Sequence, residues 1–203
     1  MKFIQKTNKA MSKILIVCIA LFAASFSVKA QESTWTIDPN HSTINFGISY
    51  FKVGTIKGVF DSYSGSFTQE KDTLSAIAIT IKTASVNTNQ EDRDKHLKTT
   101  DFFSAEAYPE ISFTSTAITK ISANEYEVTG NFTMTGITKS IVLSAVDKGS
   151  FVHPRFKTTN RFVTITGSIN REDFKVGTNY APAKFALGNE VNLTAEIHLI
   201  KEK

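Results

Sequence analysis

Apolar and polar residues alternate with a period of two along most of this chain, a pattern that leaves room for little except β-sheet. Ile44, Phe46, Ile48 and Tyr50 alternate with Thr43, Asn45, Gly47 and Ser49, and Ile77, Ile79 and Ile81 alternate with Ala78, Thr80 and Lys82. The rhythm continues through Ile111, Phe113 and Ser115, then through Tyr126, Val128, Gly130, Phe132 and Met134. Gly136-Ile137-Thr138-Lys139 reads as a hairpin turn into a return strand over 140–146, and residues 151–159 as the longest surface loop. At the end of the chain Val191, Leu193, Ala195, Ile197 and Leu199 share one face, while Asn192, Thr194, Glu196 and His198 share the other. Strands with one apolar and one polar face belong to an antiparallel sheet covered on one side only.

One segment breaks the alternation. Residues 90–98, QEDRDKHLK, are charged and contain no Gly, Pro or β-branched residue, which predicts one short helix. Seven or more strands, one helix and no βαβ alternation predict an all-β fold. Strands of about ten residues favour a closed barrel, which has no edges to protect.

The charge balance has two parts. Lys+Arg number 23 against 19 Asp+Glu, and the pI is near 9.1. Five of the lysines fall in residues 1–30, which hold no acidic residue, so from Gln31 onward 18 basic residues face 19 acidic ones. A bulk electrostatic case for nucleic-acid binding fails on that arithmetic. Lys13, the apolar run over 14–22 and the small-residue pattern Val28-Lys29-Ala30 predict a cleaved signal peptide over 1–30. The expected product is an exported domain over 31–203, periplasmic or secreted. Cys18, the sole cysteine, lies in that leader, so the domain is expected to carry no disulfide, thiolate metal site or thiol nucleophile.

Six stretches resemble one known family. They are WTIDPNHSTINFGI, IKGVFDSYSGSF, ASVNTNQEDRDKHLKTTDFF, YPEISFTST, VTGNFTMTGITKSIVL and INREDF, in that order between Thr34 and Ile200. Together they resemble the YceI-like family, the lipocalin-like polyisoprenoid-binding proteins. The resemblance implies an extended eight-stranded antiparallel lipocalin-like barrel, with a long apolar channel for a polyisoprenoid or similar amphiphile. Two positions depart from the family's pattern: Tyr50 stands where many relatives carry His, and Lys175 where many carry Gly.

Strand parity assigns Phe46, Ile48, Tyr50, Ile79, Ile81, Phe113, Phe132 and Met134 to the channel lining, with Phe102 near the end capped by the helix. Arg93, Asp94, His96 and Arg171 are either head-group contacts or structural braces. A forty-carbon chain leaving water would gain some tens of kcal/mol, beyond the practical ceiling of roughly 18 to 21 kcal/mol. A membrane is therefore the right reference, and the expected role is that of a non-enzymatic carrier exchanging a polyisoprenoid or isoprenoid quinone with transiently contacted membranes. A homodimer is left open.

The rivals are a fatty acid or fatty amide binder, an enzyme acting on a lipid or quinone head group through His41, His96 or Tyr50, and a solidly packed barrel with a structural role. Asp38, His41 and Ser42 hold the residue types of a hydrolase, but DPNHS reads as a turn and not as a nucleophile elbow. His41, His96, His153 and His198 show no zinc-binding spacing, and no phosphate-binding glycine motif occurs, so neither metal nor cofactor is expected.

Overall fold

The computed structural model describes residues 32–71 and 73–201. The expected signal peptide, with Cys18, lies outside them.

Among the described residues, eleven strand segments form one antiparallel sheet. They are β1 (Glu32–Ile37), β2 (Thr43–Tyr50), β3 (Gly54–Phe60), β4 (Tyr63–Glu70), β5 (Thr73–Lys82), β6 (Val86–Asn87), β7 (Glu110–Lys120), β8 (Glu125–Met134), β9 (Ile137–Val152), β10 (Thr159–Asn170) and β11 (Leu187–Lys201). Six of these are halves of three bent staves. β1 and β2 both pair with β11, β4 and β3 pair with β1 and β2, and β5 and β6 pair with β4 and β3. Counted as staves, the sheet is a closed eight-stranded up-and-down barrel, each stave antiparallel to its neighbours.

The three bends lie side by side. Tyr63 donates its hydroxyl proton to the Ser42 carbonyl, the Asp61 N–H reaches Ser85 O at 3.1 Å, and the Lys82 N–H reaches Ser62 O at 2.9 Å. Backbone groups that leave the sheet ladder at the bends are thus satisfied by neighbouring bends.

Two expected loops change. The turn between β8 and β9 is Thr135-Gly136, both at positive φ (50° and 72°), so Ile137 to Lys139 already belong to β9. That is the twist a two-residue hairpin needs. β9 also extends to Val152, which shortens the expected 151–159 loop to 153–158. The helix appears as α1 (Glu91–Leu97), capped by the Gln90 side chain, which accepts the Arg93 N–H.

One half of the barrel is filled. Trp35, Ile37, Phe67, Ile77, Val128, Ala145, Ile197 and Leu199 meet there and are almost wholly buried. The Arg161 guanidinium lies 5.0 Å from the Trp35 ring and pairs with Asp147 at 3.3 Å, closing this end. The void left among Trp35, Tyr126, Arg161 and Leu199 is about 10 Å³, at the lower limit for a single water.

Candidate ligand cavity

In the other half the inward residues line the wall and leave open space between them. They enclose a cavity of about 930 Å³. Ile44, Phe46 and Ile48 of β2, Ile79 and Ile81 of β5, and Phe113 of β7 form one side. Phe132 and Met134 of β8, Leu143 of β9, Ile165 and Ile169 of β10, and Leu193 and Ala195 of β11 form the other. Glycines keep the lumen open. A Cβ on Gly58 would sit 2.3 Å from the tip of the Phe46 ring, and one on Gly130 would sit 2.4 Å from the Phe113 ring. Both rings therefore lie back against bare backbone on the wall. The expected long channel is in fact a blind pocket, because the packed half of the barrel forms its floor.

All nine apolar residues assigned to the lining by parity and position lie on this wall: Phe46, Ile48, Tyr50, Ile79, Ile81, Phe102, Phe113, Phe132 and Met134. Bulges re-aim the neighbouring stretches. Ser75 is an extra residue opposite Thr68 and Gln69, so Leu74 and Ile77 both face inward, and Thr116 does the same between Ser115 and Ala117.

The lumen is roofed by α1 with the loop after it and by the 171–186 segment. These are joined where the Gly177 N–H donates to Asp101 O at 3.0 Å and where Tyr180 packs edge-on to His96, ring centroids 4.7 Å apart. Four polar residues were candidates here, and their surroundings differ. Arg93 lines the cavity and donates from Nε to Thr88 Oγ1 (2.7 Å) and from Nη2 to Thr88 O (2.8 Å). Among the described residues no carboxylate lies within ion-pair distance of it. Asp94 does not line the cavity; its Oδ1 accepts from the Thr88 N–H at 2.9 Å and from the Thr88 hydroxyl at 2.5 Å. His96 lines the wall, with Nε2 2.7 Å from Asp101 Oδ2. Arg171 is buried and donates to Gly188 O (2.9 Å), Val176 O (2.8 Å) and Asn189 Oδ1 (3.0 Å). Burial pushes its guanidinium below the ordinary value, with nearby Glu172 acting in the opposite sense. Its hydrogen bonds tie the 171–176 turn to the start of β11.

A second polar cluster lies outside the cavity. Asp38 Oδ2 is 2.7 Å from His41 Nδ1 and 3.1 Å from His198 Nδ1, and His198 Nε2 is 3.0 Å from Asn160 Oδ1. Burial alone would raise the Asp38 carboxyl, but hydrogen bonds from His41, the Asn40 N–H and His198 together hold it below its ordinary value. Asp38, His41 and His198 offer three metal-ligand atoms within 4.8 Å of one another. Sequence reasoning missed this grouping because His198 is remote in the chain and no local spacing announces it. The cluster lacks hydrolase geometry. The Ser42 hydroxyl donates to Asp38 O (2.7 Å) and accepts the His198 N–H (2.9 Å), so it is occupied by backbone and has no histidine base.

Comparison with known proteins adds the family. The description of a YceI-like domain matches residues 35–199. This chain belongs to the YceI-like family. The YceI-like chain is 33% identical over 186 residues to a UPF0312 protein of Photorhabdus laumondii, covering 91% of this chain and 94% of that one. It is 32% identical over 187 residues to protein YceI of Escherichia coli O157:H7, covering 90% and 93%. A solved YceI protein of Campylobacter jejuni superposes with a TM-score of 0.67 at 31% identity, covering 74% and 88%. A polyisoprenoid binding domain from Saccharophagus degradans shares the fold, with a TM-score of 0.63 at 15% identity, covering 86% and 100%. The departure that the resemblance implies at Lys175 has a physical reading. Lys175 caps the 171–174 turn at φ 57°, a left-handed conformation in which glycine carries no Cβ penalty.

Proposed function

We propose that this chain is an exported, non-catalytic carrier that holds one amphiphile, of isoprenoid or isoprenoid-quinone type, in the blind half of its barrel. The single observation that carries this reading is the cavity of about 930 Å³, walled by aliphatic and aromatic side chains and closed by a packed floor. At roughly 30 Å³ per heavy atom, the share a water takes in the liquid, it holds on the order of thirty chain atoms. The binding named for the Saccharophagus degradans neighbour fits such a lumen, and the leader over 1–30 fits export. The polar head belongs beside Arg93 and His96, two polar residues of the roof that line the cavity, and the tail runs down to the floor.

The fatty-acid reading shares the cavity. It is favoured by Arg93, whose charge has no carboxylate partner among the described residues and would suit a carboxylate head. Catalysis draws no support from the Asp38, His41 and Ser42 group, which lies outside the cavity with its serine engaged by backbone. Titrating delipidated protein with a fluorescent prenyl or acyl probe, then competing with prenyl alcohols, quinones and fatty acids, tests the proposal. Saturable displacement by prenyl compounds is expected; no displaceable probe binding would reject a ligand-holding barrel, and displacement by fatty acids alone would replace the isoprenoid by an acyl chain.

A further inference from the structure

Two exposed apolar tips stand at the mouth of the cavity. In the turn from β2 to β3, Phe51 is 54% exposed and Val53 is 94% exposed; across from it, Phe185 in the helical turn Ala183–Ala186 is 81% exposed. The Phe51 N–H donates to Ala186 O at 2.7 Å, so the tips are tied to each other. Phe51 and Phe185 also belong to the cavity wall, and apolar surface therefore runs unbroken from the lumen to solvent. The only charges on the two tips, Lys52 and Lys184, are both positive, and residues 49–54 and 177–189 contain no Asp or Glu. The hairpin tip is unusual in its own right. Phe51 and Lys52 adopt φ of 48° and 61°, the conformation that hairpin turns normally fill with Asn or Gly.

We propose that this end of the barrel docks on a lipid bilayer bearing anionic headgroups. Phe51, Val53 and Phe185 enter the interface while Lys52 and Lys184 meet the headgroups. The ligand then passes between bilayer and cavity without crossing water. This proposal rests on the carrier reading above and adds the surface through which exchange occurs. A bare protein surface seldom displays such large apolar groups together without a partner. The unbroken path into the lumen and the purely positive tips favour a membrane as that partner.

A comparable tip at the filled end supplies the control. Val152 and Phe156 are exposed beside Arg155 and Lys157, but neither borders the cavity. The experiment is flotation of the chain from Gln31 onward with phosphatidylcholine vesicles, with and without phosphatidylglycerol, comparing wild type, Lys52→Glu/Val53→Asp/Lys184→Glu, and Val152→Ser/Phe156→Ser. The altered mouth residues of the first variant lie outside the cavity wall, so native mass spectrometry should find its ligand content unchanged. Binding to phosphatidylglycerol vesicles is expected for wild type and the control, with at least a tenfold loss in the mouth variant. A Phe185→Trp reporter should shift its emission to the blue on those vesicles only. Docking is overturned if wild type fails to bind, if the mouth variant binds equally well, if the control variant alone loses binding, or if the mouth residues instead hold two copies together and release monomers when substituted. Loss of flotation in the mouth variant of a protein that carries no ligand would leave docking standing and reject the carrier reading.

Discussion

Ala195 and Ala145 are both inward alanines of this barrel, and replacing each with Phe should have opposite consequences. Ala145 is fully buried in the packed half. A phenyl group added there must displace neighbours, at a cost of about 1 to 3 kcal/mol or more. Ala195 borders the cavity, where the added ring has empty space and gains apolar burial. Fully burying a Phe side chain stabilises by roughly 1.5 to 3 kcal/mol, and a ring partly facing the lumen gains a fraction of that. The two variants of delipidated protein should thus differ by about 2 kcal/mol or more in urea unfolding, with Ala195→Phe at or above wild type. The same ring adds six carbons, and at roughly 30 Å³ each it takes about a fifth of the cavity. Native mass spectrometry of Ala195→Phe should then show a shorter bound chain or a lower occupancy. Equal destabilisation by both substitutions, with ligand unchanged in Ala195→Phe, would refute the division into a hollow and a filled half.

Four further outcomes follow from the polar groups. Arg171→Ala should destabilise by about 2 to 4 kcal/mol, because Gly188 O, Val176 O and Asn189 Oδ1 lose a buried donor together. Arg93→Ala should instead weaken anionic probes by about tenfold with little change in midpoint, and a stability loss at unchanged affinity would make Arg93 a brace. Asp38 is held below its ordinary carboxylate value, so its stabilising contribution is complete above the unfolded value and disappears as pH falls through the lower folded value. The gap in melting temperature between wild type and Asp38→Asn should therefore be constant near neutrality and shrink below about pH 4; a gap that persists into acid would contradict this. Ser42→Ala removes two bonds to backbone and should cost about 1 to 2 kcal/mol while probe affinity stays put; lost affinity would place Ser42 in the binding machinery.

Much of the barrel wall is legible in the sequence because alternation is a direct readout of pleat. β2, β8 and β11 from Val191 onward keep an uninterrupted period of two, and there Phe46, Phe132 and Leu193 point where their parity places them. Ser75 and Thr116 interrupt the period, and an extra residue in a strand has no compositional signature. What alternation does not distinguish is filled from hollow. Ile77 and Ile79 read identically in β5, yet the first packs in the core and the second borders the cavity. The difference lies in which side chains stand opposite and in glycines 58 and 130, which receive the Phe46 and Phe113 rings. The 171–186 segment gave no periodic signal, so Tyr180 and Phe185 were missed although they shape the roof and mouth. Asp38 and His198 meet only because β1 and β11 pair at the point of closure.

Native mass spectrometry with lipid extraction, on protein purified from its own source, addresses the hollow barrel most directly. The account predicts a stoichiometric single-chain amphiphile of about twenty to thirty carbons, retained in aqueous buffer and released when the barrel unfolds, when lipid is extracted or when acceptor vesicles are supplied. Protein that arrives empty and takes up no amphiphile when vesicles are supplied would contradict it.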